Sequence, residues 1–188
     1  MNRLLPAVFA LFALPALAAP QSASMKGQTK WISDAPVEKI VGTAAGTAEL
    51  KIDLADLSTL KGKISFSVDS MMTGNAMRDG HLKSPTWLDA TQFPEITFDI
   101  ISAKVLEAPT GDAVKAAKVE ATGKFTLHGV STDMTIPATL KWKGDKLKIS
   151  ADFNVKLAEY KVEGKAGVVG NKVGDTIAIT ATLKGKIQ

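Results

Sequence analysis

Four side chains packed into one short stretch, Arg78, Asp79, His81 and Ser84, carry most of the reactive chemistry in this chain of 188 residues. A histidine near a carboxylate and a hydroxyl is the raw material of a hydrolase, in which a base takes the proton of a nucleophile within hydrogen-bond reach. The spacing argues against that use. On a helix, positions 78 and 81 share a face while 79 does not, and no nucleophile elbow or oxyanion-type glycine loop accompanies Ser84. A hydrolase using His81 and Asp79 is therefore the minor reading. The structural one has Arg78 or Asp79 pairing with strand ends and His81 fixing its segment by a hydrogen bond. Metal chemistry is no better supported, even with Asp79 or Asp89 as helpers. His81 and His128 are the two histidines, 47 positions apart and without paired ligand spacing. Cysteine is absent, which removes thiolate metal sites, cysteine nucleophiles and disulfides. Neither a metal nor a cofactor is expected, and the chain does not read as an enzyme.

The elements around these residues are strands. Apolar residues recur at period two: Ile64, Phe66 and Val68 alternate with Lys63, Ser65 and Ser67, so one face is dry and the other wet. Leu50, Ile52 and Leu54 repeat the pattern, as do Phe125 and Leu127. Met134 to Trp142 forms the longest stripe, through Ile136, Ala138 and Leu140. After the Gly144-Asp145 turn it is followed by Leu147, Ile149, Ala151, Phe153 and Val155, which predicts a hairpin. Ile177, Ile179, Ala181 and Leu183 close the chain. Ile96, Phe98 and Ile100 begin a stripe that Ile101, Ala103 and Val105 continue on the opposite parity, so a bulge is expected near Ile101 or Ser102. Pro137 cannot donate to a ladder and marks an edge or a bulge. Gly74 to Ser84 is the helical candidate, with Asn75 as its cap and Gly80 weakening it. Gly42 to Ala48 is an Ala/Gly-rich stretch without a stripe. About eight or nine strands on short turns fit an antiparallel barrel or sandwich, and closure into a barrel would remove exposed edges.

Residues 1–18 read as a secretory signal peptide. Arg3 is followed by an apolar run, Leu4 to Leu17, and by the small-x-small site Ala16-Leu17-Ala18. The run is shorter than the ~20 apolar residues that a membrane span needs. Residues 19–27 are expected to be a flexible polar lead and 28–188 a single domain. The expected location is the periplasm, with secretion beyond the cell as an extension. Losing Arg3 takes the basic count from 23 to 22, against 19 acids. Lysines alternate with apolar residues at Lys61 and Lys63, Lys141 and Lys143, and Lys146 and Lys148. This small excess reads as the wet face of a sheet rather than a footprint for nucleic acid.

The stretch from Arg78 to Phe98, R-D-G-H-L-K-S-P-T-W-L-D-A-T-Q-F-P-E-I-T-F, and the later G-K-F-T-L-H-G-V-S at Gly123 to Ser131 resemble the YceI-like family. Its members carry an R-D-x-H-L-x-S block, then F-P-x-I-x-F, then G-x-L-T-L-x-G-V. The resemblance covers roughly the middle third of the chain. It implies an all-β fold, a lipocalin-like antiparallel β-barrel of about eight strands with one short helix in a lid segment. It also implies that the barrel holds an apolar isoprenoid lipid, running lengthwise inside it, outside the cytoplasm. Many members begin with an I-D-x-x-H-S strand where this chain has Thr29-Lys30-Trp31-Ile32-Ser33-Asp34, so a role tied to that histidine does not carry over.

On this reading Phe66, Val68, Phe98, Ile100, Phe125 and Leu127 face a ligand from the barrel wall. Ile136, Leu140, Trp142, Phe153 and Val155 do the same from the later strands. Met71, Met72, Met77 and Leu82 would form an adaptable mouth. Arg78, Asp79, His81, Asp89, Phe93 and Pro94 would hold the lid, with Trp87 and Phe93 anchoring the turn at Asp89. The aromatic residues alternate with Ala138, Ala151, Ala181 and Gly123, which either leaves a tunnel or interdigitates into a solid core. Burying about ten methylenes at ~0.8 kcal/mol each offers roughly 8 kcal/mol before ordering costs, the scale of micromolar binding. The expected partner is thus an isoprenoid lipid or quinone-like molecule, with transient membrane-surface contact. The expected function is a carrier for an amphiphile with a long isoprenoid tail, the alternative a secreted stress-related scavenger of diverse hydrophobic compounds.

Overall fold

In the computed structural model, described for residues 19–164 and 166–188, eight antiparallel strands close into one barrel in simple sequence order. The strands are β1 (Gln21–Asp34), β2 (Lys39–Ile52), β3 (Lys61–Ser67), β4 (Glu95–Thr110), β5 (Lys115–Leu127), β6 (Val130–Lys143), β7 (Lys146–Lys156) and β8 (Thr176–Ile187). Helix α1 (Ala76–Lys83) lies in the β3–β4 connection. Closure follows from register: β1 pairs with both β2 and β8, so no outer strand is left over. Of the barrel and the sandwich that the stripes allowed, the chain forms the barrel, with one helix, that the family resemblance implied.

Two expectations about strands change. Residues 19–27 are not a flexible lead: β1 begins at Gln21, pairs with Ile52 there, and buries Ala23 and Met25. The Ala/Gly-rich stretch is the middle of β2, whose inward positions Gly42, Ala44, Gly46 and Ala48 are buried. Residues 1–18, expected from the sequence to be a signal peptide, lie outside the described residues. The bulge falls where parity placed it, as the β4–β5 register slips between Ile100 and Ser102. Pro137 sits immediately before β6 joins β7, since that pairing starts at Ala138 with Ala151. From Val130 to Pro137, β6 is thus unpaired on its β7 side, and a proline there costs no ladder bond.

The barrel has two unlike ends. At one, the hairpin turn at Gly144-Asp145 and the 3-10 turn Leu57–Thr59 form a base. Leu57 and Leu60, both nearly fully buried, plug it from the β2–β3 connection. Above them Leu50, Ile52, Val119, Leu140 and Leu183 pack at no more than 2 % exposure. At the other end lie the two long connections, residues 68–94 carrying α1 and residues 157–175 carrying the 3-10 turn Leu157–Tyr160. Tyr160 fills the split between β6 and β7. It is fully buried, edge-on to Phe125, and shares a 2.6 Å hydrogen bond between its hydroxyl and Oγ1 of Thr132. Burial pushes the Tyr160 hydroxyl above its ordinary pKa of 10.0.

Candidate functional site

Helix α1 is positioned at the open end by three polar devices. The Asn75 side chain accepts from the Arg78 backbone N–H and caps the first turn. Asp79 turns back, and its Oδ1 accepts from both the backbone N–H and the hydroxyl of Thr73, at 2.7 and 2.6 Å. The Thr73 hydroxyl holds this carboxyl below the usual aspartate range, with weaker help from the Thr73 N–H, Lys83 and Arg78. Arg78 reaches across to Glu38 in the β1–β2 turn, with Nη2 and Oε1 2.6 Å apart. The helix stops at Ser84, whose N–H and hydroxyl both donate to the His81 carbonyl, just before Pro85.

The other connection is tied down as firmly. The buried Ser33 hydroxyl accepts from Gly174 N–H, and the Asn171 carbonyl accepts from Val37 N–H. The two connections touch through Trp87, whose ring lies where a β carbon at Gly164 would stand, 2.5 Å away. Beneath them the barrel is hollow. A cavity of about 530 Å³ opens to solvent beside exposed Met77, His81 and Lys172. Its walls are mainly apolar, with Glu38, Asn75, Arg78, His81 and Lys172 at the rim.

Where the wall ends is set strand by strand. The lining stops at Thr29 in β1, Phe66 in β3, Ile96 in β4, Phe125 in β5, Phe153 in β7 and Ile179 in β8, while β6 contributes nothing. Phe125 and Phe153 meet edge to face at 5.9 Å. The Phe66 ring occupies the space of a β carbon at Gly46, 2.4 Å away. Three phenylalanines thus floor a cup that fills only the open half of the barrel.

Eight of the fifteen residues expected at the ligand line this cup: Phe66, Met71, Met77, Leu82, Phe125, Leu127, Phe153 and Val155. The other seven do not. Phe98, Ile100, Ile136, Leu140 and Trp142 belong to the packed core, and Val68 is buried away from the cavity. Met72 is 60 % exposed on the outside, where its backbone pairs with Thr43 and closes the barrel wall above β3. Both outcomes foreseen for the mixed aromatic and small residues occur, hollow in one half and solid in the other. The cup ends at the three phenylalanines, short of the full barrel length over which the resemblance runs the ligand.

Of the lid motif, Arg78 and His81 line the rim and Asp79 is the latch on Thr73. The His81 side chain makes no hydrogen bond among the described residues; its carbonyl is the acceptor for Ser84. Asp89 takes a positive φ of 46° and its carbonyl accepts from Gln92 and Phe93. The Pro94 carbonyl accepts from Val68 N–H. Phe93 packs on His128, whereas Trp87 lines the cavity as well as anchoring the loop. Asp79, spent on Thr73, does not orient His81, and among the described residues no three potential metal ligands gather.

Several lining residues carried little signal. Thr29, Trp31 and Ser33 lie in the strand that lacks an apolar stripe, and Leu157, Val162 and Val173 lie in a connection without periodicity. Ile177 and Ile179 were visible as a stripe but not as a wall. The Trp31 indole lies over Gly42, where a β carbon would come within 2.2 Å of the ring, and its buried Nε1 has no acceptor among the described residues. An unmet N–H of this kind costs about 1–3 kcal/mol.

A family model for the YceI-like domain matches residues 20–185, and the chain belongs to that family. It is 28% identical over 125 residues to Protein YceI of Shigella flexneri, covering 63% of this chain and 61% of that protein. Among solved structures, BcnA of Burkholderia cenocepacia superposes with a TM-score of 0.70 at 22% identity, over 86% of this chain and 95% of BcnA. A polyisoprenoid binding domain from Saccharophagus degradans gives 0.66 at 13% identity, over 91% of this chain and all of that domain. At these identities the two structures share the fold.

Proposed function

We propose that this YceI-like protein is a periplasmic carrier that binds an amphiphile with an isoprenoid tail, of polyprenol or quinone type, and performs no catalysis. The observation that carries the reading is the cup: an apolar chamber of about 530 Å³, sealed below by phenylalanines and opening at a polar rim. Such a shape takes a hydrocarbon chain inward and leaves a polar head at the water, and its volume lies in the range that encloses a single small ligand. The Saccharophagus degradans neighbour, described as a polyisoprenoid binding domain, supports the choice of tail. The signal-peptide-like sequence pattern of residues 1–18 supports the choice of compartment. Passage of such a tail between membrane and protein calls for transient contact of the open end with a lipid surface, where Val37, Met72 and Met77 are exposed.

The test is mass spectrometry of the protein purified from the periplasm without detergent, under native and then denaturing conditions. One stoichiometric adduct, released on denaturation and built from five-carbon units, is the expected result. A mixture of unrelated hydrophobic compounds would favour the scavenger. A clean unliganded mass that persists after incubation with quinones and polyprenols would end the carrier reading.

A further inference from the structure

The cup has a floor, and the floor has a consequence for chain length. The lining ends at Phe66, Phe125 and Phe153, and below them Leu50, Leu140 and Leu183 are packed at 2 % exposure or less. Leu57 and Leu60 then close the barrel's far end. A tail cannot continue past the phenylalanines without displacing core residues held at crystal-like density.

Volume converts this into a length. A cavity of roughly 150 Å³ holds benzene, or about 25 Å³ for each non-hydrogen atom. At that density 530 Å³ admits about twenty such atoms, which is about four five-carbon units.

We propose that Phe66, Phe125 and Phe153 act as a ruler: they limit the enclosed tail to about four isoprene units, so that Phe153 in particular determines ligand length. The inference rests on the isoprenoid-carrier reading and sharpens it. Phe153 is the adjustable member of the three. It is only partly buried, and its inward neighbour on the same strand, Ala151, leaves room for a chain end once the ring is gone. Phe125 is instead clamped between Phe153 and Tyr160 at 5.9 and 5.5 Å, and Phe66 rests on Gly46.

The experiment is a binding series with all-trans prenols of 10, 15, 20, 25 and 45 carbons on the mature protein. Affinity is expected to rise about tenfold or more per unit while the added carbons enter the cup. It should then level off at about twenty carbons, because further units remain outside. Phe153→Ala is expected to move the plateau out by one unit, so that the ratio of 25-carbon to 20-carbon affinity rises from near one to about fivefold or more. Phe153→Leu serves as the milder variant, with thermal melting as a check that both fold. Affinity that keeps climbing to 45 carbons in the unmodified protein would overturn the ruler and leave the carrier standing, as would a plateau that neither variant moves. Failure of every prenol to bind would bring down both.

Discussion

The Phe93 ring stands edge-on to His128, with centroids 5.1 Å apart and planes at 78°, and it covers Gly129 so closely that a β carbon there would come within 2.5 Å. This contact joins the two sequence blocks that carry the family resemblance. His128 and Gly129 take φ of 50° and 72°, the left-handed conformation that tight two-residue hairpin turns require. The turn therefore needs both a positive φ and an absent side chain at 129. Gly129→Ala is expected to destabilise the protein by about 2–4 kcal/mol, combining left-handed strain with displacement of Phe93. Gly144→Ala has a similar φ of 56° but nothing within 4 Å, and should lose only about 1–2 kcal/mol. Urea unfolding of the pair separates the two contributions, and equal losses would show that Phe93 simply moves aside.

Arg78 and Glu38 tie the lid helix to the β1–β2 turn beside the mouth. Their side chains are 31% and 45% exposed, so the pair is worth at most about 1 kcal/mol. Arg78→Ala is expected to leave global stability within about 0.5 kcal/mol and to speed ligand release two- to fivefold. Stopped-flow displacement of a bound fluorescent prenol reads this directly. An unchanged release rate would mean that the helix does not gate the cup.

Asp79 gives the lid a pH signature. Its folded pKa is depressed below the usual 3.8, first by the Thr73 hydroxyl. The latch's contribution is therefore complete above the unfolded value and lost as pH falls through the lower folded one. Local opening of residues 68–94 is expected in acid below about pH 4, not at neutral pH. Thr73→Val should return the Asp79 pKa toward its ordinary value. A carboxyl-resolved NMR titration of the two proteins checks both statements, and an Asp79 pKa unmoved by the substitution would refute the assignment.

Tyr160 holds the split beside β6, and its raised pKa has the opposite sense. Its contribution is full below pH 10.0 and is lost as pH rises through the higher folded value. Tyr160→Phe removes the bond to Thr132, so a loss of about 1 kcal/mol is expected at neutral pH. The alkaline part of the stability profile should then flatten. Denaturant midpoints at pH 8 and pH 11 are the measurement, and a profile as steep as before would place the alkaline loss elsewhere.

Strands whose inward positions hold large apolar side chains were legible, because alternation of Ile, Phe and Leu with Lys and Ser leaves one solution. The bulge after Ile100 and the edge-like site of Pro137 followed from the same reasoning. β1 and the start of β2 were not legible. Their inward residues include Gly27, Thr29, Ser33, Gly42, Ala44 and Gly46, and the missing volume is supplied by rings from neighbours, Trp31 over Gly42 and Phe66 over Gly46. A one-dimensional pattern records a residue's own side chain and not the one that lies across it.

Period-two alternation and short turns already specified an antiparallel barrel or sandwich, since strand periodicity and turn chemistry are local properties of the chain. The resemblance carried by the two motif blocks implied the barrel with a helical lid. Whether that barrel was hollow was not local. Phe66 and Phe98 belong to the same kind of stripe, yet one lines the cup and the other the core. The difference arises from register and closure. Leu57 and Leu60 fold under one end, while the two long connections, touching at Trp87 and Gly164, leave a mouth at the other. Only the way eight strands wrap around a common axis decides which inward side chains meet one another and which face empty space.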